Sequence, residues 1–100
     1  MKLTVTEQAA QFYIQEMGLS AGDSLTFYVR VGGVGSGGFS AGIVQGEPDI
    51  DYTVTQTAAL RFCVTNEDEW YFDGMTIDYD TDKGELLFAN PKIDDVTTPL

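Results

Sequence analysis

Three groups of residues in this chain have the types and spacing that chemistry uses: a glycine loop, a file of aspartates and a lone cysteine. Gly32-Gly33-Val34-Gly35-Ser36-Gly37-Gly38 places five glycines in seven residues. Such a loop can take positive φ and bring backbone amides close to a ligand or partner, at a cost in folding entropy. From Gly33 to Gly38 it spells G-x-G-x-x-G, the spacing that cradles a pyrophosphate when a strand feeds a helix through it. Here the following residues, Phe39-Ser40-Ala41-Gly42-Ile43-Val44, read as a strand, so dinucleotide binding is not expected. No Lys-Ser or Lys-Thr pair follows the glycines, which excludes a P-loop. Gly32, Gly33, Val34, Gly35, Ser36 and Gly37, with Phe39 beside them, form the candidate ligand or partner loop.

Asp78, Asp80 and Asp82 stand at alternate positions, as at the start of a calcium loop. An EF-hand then needs glycine at position six and a bidentate glutamate at position twelve, where this chain has Lys83 and Ala89. The reading that fits the rest is a strand and turn with solvated acids, and weak cation binding is the alternative. Cys63 lies inside Leu60-Arg61-Phe62-Cys63-Val64, an apolar run that predicts a small buried thiol rather than a nucleophile. With no histidine in the chain, the commonest general base is missing. Ser36 and Ser40 have no activating partner in the sequence, so no catalytic residues are assigned and an enzyme is not expected.

The elements that must position these residues are legible from periodicity. Ala10, Tyr13, Ile14 and Met17 line one face of a helix predicted over Thr4 to Gly18, with Thr4 or Thr6 as the N-cap and Gly18 at its C-terminal end. Leu25, Phe27, Val29 and Val31 then alternate with Thr26, Tyr28 and Arg30, predicting a strand with its odd residues toward the core. With Phe39–Val44 it forms a hairpin-like unit around the glycine loop. Strands are also predicted at Tyr52–Gln56, Leu60–Thr65, Trp70–Phe72, Met75–Asp80 and Glu85–Ala89. Asp73-Gly74 and Thr81–Gly84 are read as the turns of the later hairpins. One helix and many short strands predict a mainly β protein, a compact sandwich or flattened barrel with the helix packed on one side.

One hundred residues suit one domain, and residues 91–100, past the last periodic segment, are expected to be a loose tail. Sixteen acids against five bases give a net charge of −11. That field repels nucleic acid and anionic membranes and attracts cations or basic protein surfaces. A single cysteine cannot make an internal disulfide, and no apolar run has the length of a signal or a membrane span, so the expected compartment is the cytoplasm.

Four segments together resemble the HesB-like family of A-type iron–sulfur cluster carriers. They are Leu3–Ala10, Val31–Gly37 with its Gly-Gly-x-x-x-Gly, Tyr71–Tyr79 reading Tyr-Phe-Asp-Gly-Met-Thr-Ile-Asp-Tyr, and Leu87–Pro91 reading Leu-Phe-Ala-Asn-Pro. The resemblance implies a compact β fold with an N-terminal helix, and self-association into a dimer. It also implies one cluster cysteine after the Gly-Gly of the loop and two in a Cys-Gly-Cys tail. This chain has Val34 at the loop position and Lys92–Leu100 without cysteine in the tail.

Iron–sulfur clusters are held chiefly by thiolates, usually four of them. The resemblance therefore implies a HesB-like scaffold that has lost its cluster ligands. The expected role is a non-enzymatic binding or adaptor module for a protein partner of the iron–sulfur assembly machinery, with no cofactor. The alternative is a metal or cluster handler with unconventional ligands, namely Cys63 across an oligomer or the carboxylates of Asp78, Asp80 and Asp82.

Overall fold

Short amphipathic segments can bury their apolar faces only against one another, and in a computed structural model the described residues do so as two sheets and two helices. The structure describes residues 1–31 and 38–91. In chain order the elements are β1 (Thr4–Val5), α1 (Glu7–Met17), β2 (Ser24–Val31), β3 (Phe39–Gln45), β4 (Tyr52–Thr57), β5 (Leu60–Thr65), α2 (Glu69–Phe72), β6 (Thr76–Asp80) and β7 (Glu85–Ala89). A four-stranded sheet runs β3-β2-β5-β4 and a three-stranded sheet runs β1-β6-β7. Neither sheet closes into a barrel, so of the two expected architectures the open two-sheet form is the one adopted.

β2 and β3 are antiparallel neighbours, with Val31 opposite Phe39 and Tyr28 opposite Gly42. β2 is parallel to β5 and β1 is parallel to β6. Parallel neighbours need crossovers, and here α1 and the strands after β2 supply them.

The core lies where α1, α2 and β6 meet the four-stranded sheet. Phe27 and Phe62 stack with centroids 5.6 Å apart, Tyr13 of α1 stands 6.0 Å from Phe27, and Phe72 of α2 stands 5.7 Å from it. Leu25, Leu60, Phe62, Val64, Phe72 and Ile77 are wholly buried. Burial of the Tyr13 ring pushes its phenol up to about 12, because a phenolate would lose its hydration there.

Four local expectations are corrected. Thr4 does not begin the helix: its amide donates to Met75 O and that of Thr6 to Ile77 O, both at 2.9 Å, which makes Thr4–Val5 a strand. Thr6 is the N-cap, its hydroxyl accepting from Ala9 N at 3.2 Å, and Gly18 ends the helix in the left-handed region at φ 63°. Trp70–Phe72 is a helical turn rather than a strand, closed by Asp73 N donating to Glu69 O at 2.8 Å. Three residues are too few for a period to show, and aromatic content alone pointed to a strand. Asp73-Gly74 is accordingly the turn from α2 into β6, with Gly74 at φ 90° and its amide donating to Lys2 O. The fourth correction is Val31, which is 87% exposed because the core-facing row of β2 runs on past the elements that cover Leu25 and Phe27.

Candidate functional site

The predicted site residues divide into those that hold the fold and those that reach the surface. Asp78 accepts from the Thr6 hydroxyl at 2.6 Å and from Tyr79 N at 2.8 Å. Those hydrogen bonds, that from Thr6 foremost, hold its carboxyl below the ordinary aspartate value. Asp80 accepts from Asp82 N at 2.9 Å and Lys83 N at 3.2 Å, an Asx turn closing the β6–β7 hairpin. Asp82 is exposed in that turn. Their alternation is that of a strand and turn, and the carboxylates of Asp78 and Asp80 accept from separate partners. Among the described residues no three His, Cys, Asp or Glu side chains form a group that could hold a metal.

Cys63 is buried in β5, between Thr26 of β2 and Val54 of β4 in register. Burial, reinforced by the Glu47 carboxylate, pushes its thiol up, while Arg61 pulls it down more weakly. A protonated thiol buried on the face of the sheet opposite the core row of Leu60, Phe62 and Val64 is a packing residue. It does not fit a cluster, and neither do the aspartates, which lack the soft donors that sulfide-bridged iron requires. Outside Cys63 lies a polar group that the sequence did not signal. Glu47 accepts from the Tyr52 hydroxyl and from Ser24 Oγ at 3.4 Å, with Arg61 Nη2 at 3.9 Å. The Tyr52 bond is the main cause that lowers the Glu47 carboxyl, and the same bond raises the Tyr52 phenol.

The surface at the mouth of the β2–β3 hairpin is different. Gly32, Gly33, Val34, Gly35, Ser36 and Gly37 lie outside the described residues, but both ends of the loop are placed. Val31 and Phe39 face each other across the ladder, and the Phe39 ring meets Trp70 edge to face at 5.2 Å. Tyr71, buried, donates its hydroxyl to Phe39 O at 3.4 Å. Trp70 itself is 54% exposed, on a helical turn where the sequence predicts a strand. Asp68 ties α2 to the hairpin by accepting from Val29 N at 3.2 Å. A tryptophan after the Glu67-Asp68-Glu69 run was the one sequence signal that could have found this surface.

Asn90 supports it from behind. It is 2% exposed, and its Nδ2 donates to Tyr71 O at 3.0 Å and to Asp73 O at 2.9 Å. The asparagine of the Asn-Pro motif thus fixes the turn that follows α2, a role that no local pattern announces. The predicted tail beyond Pro91 lies outside the described residues.

A small two-sheet protein with an N-terminal helix, a β2–β3 hairpin and a buried asparagine brace is the class that fold and site together define. The chain belongs to the iron–sulphur cluster biosynthesis family, which it matches over residues 1–97. It is 32% identical to the pyruvate dehydrogenase inhibitor of Bacillus subtilis (strain 168) over 92 residues, 88% of this chain and 97% of that protein. Its fold matches the crystal structure of Escherichia coli SufA, described as involved in biosynthesis of iron–sulfur clusters. That match has a TM-score of 0.68 and 24% identity, and covers 91% of this chain and 82% of the other. The HesB-like resemblance and the β-rich fold read from the sequence therefore hold. No helix among the described residues is long and apolar enough to cross a membrane.

Proposed function

We propose that this protein is a non-enzymatic binding module: it keeps the scaffold of the cluster-biosynthesis family, carries no cluster, and acts by contact with a protein partner in the cytoplasm. The observation that carries this reading is the chemistry of its donors. Val34 stands where the resemblance places a cluster cysteine, and Cys63, the one cysteine in the chain, is enclosed between paired strands. The similarity to the Bacillus subtilis inhibitor supports the pyruvate dehydrogenase complex as the partner and lowered activity of that complex as the effect. Family membership supports the iron–sulfur assembly machinery as the second candidate.

The test is the rate of pyruvate-dependent NADH formation by the Bacillus subtilis complex, titrated with the iron-free chain. The reading expects the rate to fall saturably, without turnover of the added chain. An unchanged rate at full excess would remove the dehydrogenase as partner.

A further inference from the structure

The mouth of the β2–β3 hairpin carries an apolar row in acidic surroundings. Val31 is 87% exposed and Trp70 54%, and they join through Phe39, which pairs with one and touches the other ring. Exposed tryptophans set beside smaller apolar groups are the commonest anchors of protein contacts. Tyr71 and Asp68 fasten this row from both sides, so it is presented without first having to be ordered, which lowers the cost of binding.

The charges around Trp70 select the partner. Glu67, Asp68, Glu69 and Asp73 all lie within three residues of it, and a shallow hollow beside the indole is lined by Met1, Glu69, Trp70 and Asp73. Against these carboxylates stand the Met1 amino group, 3.9 Å from Glu69, and Lys2, whose backbone amide donates to Asp73. Acid remains in excess locally, and the net charge of −11 attracts cationic surfaces from a distance. An indole face next to carboxylates suits a guanidinium or ammonium group, which gains from the ring quadrupole and the charge together.

We propose that this patch is the partner contact and that its occupant is a basic segment of a protein, with an arginine or lysine on Trp70 and Glu69 and an apolar neighbour on Val31 and Phe39. The assignment rests on the protein-binding reading above and narrows it to one face and one partner chemistry.

Trp70 is the single tryptophan, so its emission reports on the patch directly. The full chain is titrated with an acetylated, amidated peptide Ala-Arg-Leu-Arg-Phe-Arg-Ala and with the same peptide carrying Glu for Arg. The arginine peptide is expected to change Trp70 emission saturably and the glutamate peptide to leave it unchanged. Glu67→Gln with Glu69→Gln should weaken binding about tenfold, as expected for loss of an anchor's charges. Glu7→Gln with Glu16→Gln, which removes the same charge from α1, should leave it unchanged. Calorimetry on Trp70→Ala, checked for fold by circular dichroism, should show a comparable loss.

Unchanged emission with the arginine peptide, or equal weakening by the two charge pairs, would overturn the proposal. Peptide binding without any effect on pyruvate dehydrogenase would remove that enzyme and leave the patch standing. Inhibition of the enzyme that Trp70→Ala leaves intact would place the contact elsewhere and overturn the patch.

Discussion

Asn90 donates from one amide nitrogen to the carbonyl of Tyr71 at 3.0 Å and to that of Asp73 at 2.9 Å, bracing the end of α2 from inside the protein. The brace reaches the surface, because Tyr71 in turn bonds Phe39 and adjoins Trp70. Replacing Asn90 by Ala removes both donors from a buried site, at a cost of about 1 to 3 kcal/mol. Denaturant unfolding should show that loss, and Trp70 emission should shift in the folded variant because its support has moved. A variant as stable as the parent would contradict the role given to Asn90.

Much of the fold was legible because its strands alternate and its helix carries a clear apolar face. β2 is legible from its alternation, and the expected strands β3 to β7 lie within a residue of their observed bounds. Three features are not legible. The two parallel pairings join residues distant in sequence, and no local pattern announces them. α2 is one turn long, so its aromatic residues carry a strand's composition, while Tyr71 and Phe72 are buried and Trp70 is exposed. The third is the turn between β4 and β5, which carries none of the usual turn residues.

That turn makes its own prediction. Ala58 and Ala59 both have positive φ, 52° and 66°, in a two-residue connection that ordinarily uses Asn-Gly. An L-residue pays about 1 kcal/mol for the left-handed region, and Ala59 is exposed, its carbonyl accepting from Gly22 N at 2.8 Å. Ala59→Gly keeps that bond and should raise stability by about 1 kcal/mol, visible as a higher melting temperature. A lower one would refute the strained turn.

Asp78 links α1 to β6 through the Thr6 hydroxyl, and its carboxyl is held below the ordinary value. A depressed carboxyl stabilises the folded state above its unfolded pKa, about 3.9, and that contribution is lost as pH falls through the lower folded value. Asp78→Asn should therefore melt below the parent at neutral pH, with the gap closing as pH drops below about 4. Paired thermal melts across that range test this, and a gap independent of pH would count against the link.

Cluster chemistry makes a further prediction. After anaerobic incubation with iron and sulfide followed by desalting, the protein should be colourless and free of iron, and Cys63→Ser should behave as the parent does. Visible absorbance that Cys63→Ser abolishes would show that the thiol leaves its place in the sheet to bind iron.

The site itself was legible only in part. Gly32–Gly37 lie outside the described residues; Val31 continues the alternation of Leu25, Phe27 and Val29 and so reads as a core position, although it is 87% exposed. Asp78 and Asp80 looked like ligands because alternation is shared by metal loops and strands, and their hydrogen bonds to Thr6 and to the turn amides distinguish the two.

The proposed role requires this chain to bind a protein partner without a cluster. Equilibrium binding of the iron-free protein to the immobilised Bacillus subtilis pyruvate dehydrogenase complex tests it most directly. Saturable binding that weakens with added salt is the predicted result. Binding that appears only after the chain has been loaded with iron and sulfide would show that the chain needs a cluster to engage its partner.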